Sequence, residues 1–130
     1  MSKSLEKLLF VEDDESIAQV AVMILEDFGG FSVKHCDTGR KALDCLVEYA
    51  PQFILLDVVM PGMDGPETLE RLRRIPMAKK IPVAFMTAKA QTHEQAIFRK
   101  LDVVGVIVKP FDPMALSGQI TNLWALSQAA

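Results

Sequence analysis

Acidic residues follow two apolar runs directly in this sequence, in positions where carboxylates can hold a metal ion or act as nucleophiles. Glu12 and Asp13 come after the run 8–11, and Asp57 comes after the run 53–56. Carboxylates that converge without a counterion repel one another, and their removal from water is costly, so such a cluster favours a hard cation. Mg²⁺ prefers oxygen ligands and keeps positions for water and phosphate oxygens. We therefore predict a magnesium site with Asp13 and Asp57 as its carboxylate ligands.

A hydroxyl and an amine follow two further apolar runs. Thr87 ends the run that begins at Ile81, and Lys109 follows Val108. A lysine supplies a point charge for one phosphoryl oxygen, and a threonine hydroxyl can donate to another. A carboxylate can be the covalent nucleophile in such a transfer, and the small Ala88 would leave room for the incoming group. These residue types predict phosphoryl transfer to Asp57.

The elements that must position these residues alternate along the chain. Short β-rich runs alternate five times with amphipathic helical runs, which is typical of an α/β fold with a parallel sheet covered on both faces. The predicted strands are 8–11, 31–35, 53–56, 81–86 and 103–108. Three of the predicted helices are 17–28, 66–74 and 92–100. The second helix of the chain is predicted to be capped by Asp37 or Thr38 and to end before Pro51. The last helix is predicted to run from Asp112 or Pro113 to about Ser127. Ligands bind at the carboxyl edge of such sheets, so we expect the polar strand ends to meet there.

Length and charge exclude several classes of protein. The 130 residues fit one domain, and half of them are apolar, which suffices for a sound core. The formal charge is −3 and the basic residues are scattered, so direct nucleic-acid binding is not expected. The apolar runs are too short for a membrane span, and the first ten residues lack the apolar centre of a signal peptide. We predict a cytoplasmic protein with no membrane contact.

The two cysteines, Cys36 and Cys45, do not have C-x-x-C spacing. They also lack the neighbouring ligands of a zinc site. We interpret them as thiols and predict neither a disulfide framework nor a zinc site.

Taken in order, the motifs resemble those of the receiver domain of two-component response regulators, over residues 5–128. They are Val11-Glu12-Asp13-Asp14, the segment from Leu56-Asp57 to Asp64-Gly65, Met86-Thr87-Ala88 and Lys109-Pro110-Phe111. The resemblance implies a flavodoxin-like, doubly wound (βα)5 fold with a five-stranded parallel sheet of order 2-1-3-4-5 and helices on both faces. It also implies that Asp57 accepts a phosphoryl group from a histidine kinase or phosphotransfer protein and later loses it by hydrolysis. The Lys109–Pro110 bond is expected to be cis.

The resemblance also assigns roles to single residues. Glu12 and Asp13 would form the acidic pocket, with Asp14 as a looser neighbour. Mg²⁺ would be held by Asp13, Asp57 and the backbone carbonyl of Val59. The chain would catalyse its own phosphorylation and dephosphorylation without a separate substrate. It would act by binding a downstream protein target at the face formed by the fourth helix, fifth strand and fifth helix. A homodimer is an alternative.

The sequence departs from the receiver pattern at two positions. Val106 stands three residues before Lys109, where most receivers have an aromatic residue that follows the threonine inward. Because a valine cannot fill or vacate the same volume, we expect switching to rest on backbone shifts in the fourth helix and the fifth strand, near Pro110. Asp102 stands where a glycine is usual, which predicts a slightly altered turn.

Two residues are expected to set the lifetime of the phosphorylated state. Val59 and Lys89 follow the acceptor and the threonine by two positions, where they would flank the path of the attacking water. An apolar Val59 cannot position a water molecule, and Lys89 would shield the phosphoryl group electrostatically. We therefore predict slow self-hydrolysis.

Three alternatives to a single-domain receiver differ in how well they fit the sequence. The leading interpretation is a single receiver domain over residues 1–130, and the alternative is a receiver excised from a larger hybrid histidine kinase or multidomain regulator. A phosphatase of the haloacid dehalogenase type needs a second aspartate two residues after the first, where this chain has Val59. A dinucleotide-binding domain would need G-x-G-x-x-G after the first strand, which is missing.

Overall fold

The computed structural model of the chain describes residues 4–88, 96, 98 and 100–129. The strands are β1 (Lys7–Val11), β2 (Ser32–Cys36), β3 (Phe53–Asp57), β4 (Val83–Thr87) and β5 (Gly105–Val108). The helices are α1 (Glu15–Asp27), α2 (Gly39–Tyr49), α3 (Gly65–Arg73), a 3-10 turn (Pro76–Ala78) and a C-terminal helix (Leu116–Gln128). The predicted helix 92–100 lies largely outside the described residues, although Ala96 and Phe98 are helical. None of the helices within the described ranges has both the length and the apolar character needed to cross a bilayer.

The five strands form one parallel sheet in the order β2-β1-β3-β4-β5, so the predicted fold class and strand order are confirmed. All five residues of β3 are buried, as expected for a central strand that is covered on both faces. β2 lies at the sheet edge, where its Ser32 and Lys34 are exposed. Apolar and polar residues alternate over 31–35, which is typical of a strand nearer the sheet edge.

Each face of the sheet carries its own apolar core. Alternate residues of a strand point to opposite faces, so Leu9 and Val11 join one cluster whereas Leu8 and Phe10 join the other. The first cluster packs beneath α2 and α3, and the second packs beneath α1 and the C-terminal helix. The strand ends are thereby held in place from both sides.

The inner face of α1 differs from its prediction. The spacing predicted Ile17, Val20, Ala21, Ile24, Leu25 and Phe28 as inner positions. Val20 is 43% exposed and Phe28 is 70% exposed, so both predictions were wrong, and Ala18 is buried instead. Phe28 follows the last helical residue, just before the Gly29-Gly30 pair, and it lies outside the packed helical face.

The C-terminal helix begins later than predicted. Asp112 does not cap it, because residues 113–115 form a turn. In that turn the backbone N–H of Met114 donates to Asp112 Oδ1 at 2.9 Å, and that of Ala115 donates to Asp112 O at 3.0 Å. The helix therefore starts at Leu116, which is fully buried.

Asp102 has a partner that the sequence pattern did not reveal. Arg73 Nε lies 3.0 Å from Asp102 Oδ2, and Arg73 Nη2 donates to Asp102 O at 2.9 Å. Arg73 Nη1 also donates to the carbonyls of Ala78 and Ile81, at 2.7 Å each. The guanidinium thus ties the end of α3 to the segments that enter β4 and β5.

Candidate functional site

The parallel sheet brings four of the predicted site residues to one edge. The register pairs Val11 with Leu56, so Glu12 and Asp57 follow on neighbouring strands. Thr87 pairs with Val108, the residue that precedes Lys109. Because β1, β3, β4 and β5 are neighbours in the sheet, their carboxyl ends form a continuous row.

Lys109 forms ion pairs with two buried carboxylates. Its Nζ lies 2.6 Å from Glu12 Oε1 and 3.1 Å from Asp57 Oδ1. Glu12 is 0% exposed and Asp57 is 3% exposed, so water contributes little to their solvation. Within the described part of the chain, one ammonium group therefore faces two carboxylates, which leaves this cluster short of positive charge.

This shortage of positive charge affects the ionisation of Asp57. The pKa of Asp57 is raised from 3.8 to about 7, because burial and then the neighbouring Glu12 raise it and Lys109 offsets only part of the rise. For Lys109 burial acts downward, but its contacts with Glu12 and Asp57 outweigh burial and raise the pKa of the amine. An additional cation would favour the ionised form of Asp57.

The oxygens of the acidic pocket and of Asp57 are suitable ligands for such a cation. Carboxylate oxygens of Glu12, Asp13 and Asp57 lie within 4.8 Å of one another. Asp13 is exposed, whereas the other two are buried, so the cluster opens to solvent on the Asp13 side. An all-oxygen set with solvent access fits Mg²⁺, which keeps several waters when it binds to proteins. Val59, whose carbonyl is a further predicted ligand, is 59% exposed in the loop after β3.

Asp14 and His35 position Glu12. The backbone N–H of Asp14 donates to Glu12 Oε2 at 3.3 Å, and His35 Nε2 donates to the Glu12 carbonyl at 2.8 Å. The Asp14 carboxylate is used elsewhere, since it caps α1 through the N–H groups of Ser16 and Ile17. Its bonds to Ser16 lower the pKa of Asp14. The contact of His35 was not predicted, because only the register of β2 on β1 reveals it.

The loop after β3 contains two positions at which the backbone geometry requires glycine. Gly62 has φ +76°, in the left-handed region that favours glycine. A Cβ on Gly65 would lie 2.6 Å from the carbonyl oxygen of Asp57 and 2.8 Å from the Cα of Val58. The loop after β3 therefore needs a positive φ at Gly62 and a close backbone approach at Gly65.

The remaining predicted residues surround the ends of β4 and β5. Thr87 is buried, and its carbonyl accepts a hydrogen bond from the N–H of Lys109 at 2.8 Å. Ala88 is exposed, and Lys89 lies outside the described residues. The Lys109–Pro110 bond is cis, as the resemblance implied.

Val106 lies beside an aromatic pair. It is half-buried and packs against the core cluster that contains Phe85 and Phe98. These two rings meet edge to face with centroids 5.4 Å apart. The aromatic volume near this part of β5 therefore comes from other elements.

A doubly wound parallel sheet with an acidic pocket, a lysine and a threonine at its carboxyl edge defines a flavodoxin-like domain of the receiver class. The family described as response regulator receiver domain matches residues 8–121. The chain belongs to this family.

Individual relatives agree with this membership. The response regulator Rre1 of Synechocystis sp. is 32% identical over 123 residues, covering 95% of this chain and 53% of that protein. The chemotaxis response regulator CheY4 of Vibrio cholerae matches with a TM-score of 0.85 at 28% identity, covering 92% of this chain and 99% of that one. The receiver domain of a signal transduction histidine kinase from Syntrophus aciditrophicus matches with a TM-score of 0.81 at 27% identity, covering 96% and 94%. The chain spans about half the length of the curated relatives it matches.

Proposed function

We propose that this receiver accepts a phosphoryl group on Asp57 from a histidine kinase or phosphotransfer protein, with Mg²⁺, and thereby switches a protein partner. One observation carries the proposal: a buried aspartate lies 3.1 Å from a lysine amine, with further carboxylates within 4.8 Å. A nucleophile, a cation for the transferred group and an oxygen-rich metal pocket are thus next to one another. Family membership supports the identity of the donor.

The residues at the strand ends would divide the work of the transfer. An Asp57 carboxylate oxygen attacks phosphorus while the bond from phosphorus to the donor nitrogen breaks. Lys109 balances the charge of one phosphoryl oxygen, and the Thr87 hydroxyl donates a hydrogen bond to another. Mg²⁺, held by Asp13, Asp57 and the Val59 carbonyl, would supply the positive charge that the acidic pocket lacks.

Phosphorylation with a small donor tests the proposal. On incubation with acetyl phosphate and Mg²⁺, we expect intact mass to show one phosphate adduct per chain. Asp57→Asn should abolish this adduct, because the amide is not a nucleophile at phosphorus. Asp27→Asn, a matched change at the exposed end of α1, should leave it unchanged. An equal adduct on Asp57→Asn would refute the assignment of the acceptor.

The adduct should be long-lived. We expect phosphorylated protein to keep its label for minutes or longer, because exposed Val59 offers no polar group to hold an attacking water. Val59→Asn should speed label loss by roughly tenfold, below the range for a full general base. The control is Val47→Asn, at an exposed valine on α2 away from the acidic pocket. Loss of the wild-type label within seconds would contradict the role given to Val59.

We also propose how the signal leaves the domain. The predicted output face consists of the helix expected at 92–100, β5 and the C-terminal helix, and it would bind a downstream protein or a second copy of the chain. Val108 of β5 and Leu126 of the C-terminal helix are exposed apolar side chains that a partner could cover. A cytoplasmic location and a single domain over residues 1–130 complete the proposal. The chemistry at Asp57 would be the same within a larger regulator or a hybrid kinase.

A further inference from the structure

Cys36 and Cys45 come together in the folded chain although nothing in their spacing predicted it. Cys36 ends β2, and Cys45 lies on α2, nine positions later. Their Sγ atoms are 3.5 Å apart. The Cys45 thiol also approaches the carbonyl of Ala42, at 3.6 Å. The two sulfurs are therefore direct neighbours.

The distance between the sulfurs is close to what a covalent bond requires. A disulfide has an S–S length of about 2.05 Å, so the sulfurs must approach by roughly 1.5 Å. Rotation about the side-chain bonds, with a small shift of α2 against the strand end, can supply such a movement. This pair also has solvent access and an entry path, which a simple packing contact does not need.

The entry path is a cavity of about 440 Å³ next to the acidic pocket. Both cysteines line it, together with Asp13 and Lys34. Cys45 is partly exposed, whereas only 4% of Cys36 is exposed. A small oxidant or a small thiol entering the cavity would thus meet Cys45 first.

We propose that Cys36 and Cys45 form a reversible intramolecular disulfide, in which Cys45 is oxidised first and Cys36 resolves it. With hydrogen peroxide as oxidant, the Cys45 sulfur attacks one peroxide oxygen and the O–O bond breaks. One water leaves, and Cys45 becomes a sulfenic acid. The Cys36 sulfur then attacks the Cys45 sulfur, so that the S–S bond forms and the S–O bond breaks. The hydroxyl leaves with the Cys36 proton as a second water, and the peroxide has been reduced by two electrons.

The state of Cys36 disfavours it as the thiol that is oxidised first. Burial, and then the neighbouring Cys45, raises the pKa of Cys36 to about 12, which makes it a poor first nucleophile. The bridge would also lie beside the acidic pocket, because the Cys36 carbonyl accepts the N–H of Glu12 at 3.0 Å. Oxidation would therefore fix α2 to the end of β2, which is hydrogen-bonded to Glu12. The inference does not depend on phosphorylation of Asp57.

Peptide mapping tests the bridge directly. After treatment of the folded chain with hydrogen peroxide, we expect each chain to lose two hydrogen atoms in intact mass. Tryptic digestion without reductant should give peptide 35–40 joined to peptide 42–71, and dithiothreitol should separate them. Formation of disulfide-linked dimers instead, or oxidation of Cys45 to sulfinic acid with Cys36 still reduced, would overturn the proposal.

Serine variants test the order of the two steps. In Cys36→Ser, the sulfenic acid on Cys45 cannot be resolved, so the reagent dimedone should label Cys45 nearly completely. In Cys45→Ser, labelling of Cys36 should be at least about tenfold slower, because Cys36 is buried. Equal labelling of the two variants would contradict the assigned order.

Redox titration distinguishes a bridge that the fold favours from one that the fold merely tolerates. In glutathione buffers, we measure the ratio of reduced to oxidised glutathione at which half of the chains carry the bridge. This ratio should be about tenfold higher for the folded chain than for the same chain in concentrated urea. This result is expected because the fold already holds the sulfurs 3.5 Å apart. A lower ratio for the folded chain would mean that the bridge strains the fold, and it would overturn the proposal.

Discussion

Asp57→Asn is expected to raise the free energy of unfolding of the metal-free protein at pH 8 by about 2 kcal/mol. Asp57 is 3% exposed and shares one lysine with Glu12, so its ionised form is poorly stabilised. A rise in pKa from 3.8 to about 7 corresponds to at most about 4 kcal/mol at high pH, and structural relaxation reduces this value. Asparagine keeps the shape of the side chain and removes its charge.

The sign of the effect can be followed through the pH scale. Below pH 4 Asp57 is protonated in both the folded and the unfolded chain, so the substitution has little effect there. Between about pH 4 and pH 7 the unfolded chain releases the proton while the folded chain retains it. The wild type therefore loses stability relative to Asp57→Asn as the pH rises through this window.

Urea denaturation with EDTA, followed by the fluorescence of the single tryptophan, measures this difference. Addition of Mg²⁺ should stabilise the wild type and leave Asp57→Asn almost unchanged, because a ligand stabilises the state that binds it. If Asp57→Asn were less stable than the wild type at pH 8 without metal, the charge imbalance at this site would be disproved.

Lys109→Met should have the opposite effect on stability. At pH 8 we expect a loss of about 3 kcal/mol, because removing the cation leaves two buried carboxylates without their partner. The rate of phosphoryl uptake from acetyl phosphate should fall by about 100-fold or more, since the charge on the transferred group is no longer balanced. Methionine fills a similar volume, so the effect reports the charge.

Two further variants make this interpretation specific. The double variant with Asp57→Asn and Lys109→Met should regain part of the lost stability, since one of the two carboxylates is then neutral. Lys41→Met removes an exposed ion pair with Asp37 and should cost at most about 1 kcal/mol. A Lys109→Met protein as stable as Lys41→Met would show that the buried ion pairs contribute little.

Much of the fold could be predicted because burial leaves a local signal. The run Phe53–Leu56 is apolar throughout and belongs to a strand that is covered on both faces. The polar residue at its end, Asp57, therefore had to lie at the sheet edge, and parallel pairing then brought Lys109 beside it. Periodicity and the position of polar residues thus sufficed for the parallel α/β class and for the polar strand ends that meet at one edge, whereas the strand order followed from the resemblance to receiver domains.

The features that the sequence did not reveal depend on contacts between distant segments. Arg73 contacts Asp102 across 29 positions, and each residue alone is an ordinary charged residue. Cys36 and Cys45 meet only because α2 folds back on β2. Spacing likewise could not show that Phe28 follows the last turn of α1 and so escapes the core.

The ion pair between Glu12 and Lys109 joins residues that are far apart along the chain, and this has a consequence for protein synthesis. Glu12 lies near the beginning and Lys109 near the end, 97 positions later, yet they form the 2.6 Å ion pair. A ribosome-bound chain that has emerged only as far as β4 contains Asp57 and Glu12 without the lysine. Under the proposed function, such a chain lacks the cation that balances the charge of the transferred phosphoryl group. If the proposed function holds, competence for phosphoryl transfer is thus a late event, reached only when translation has passed β5.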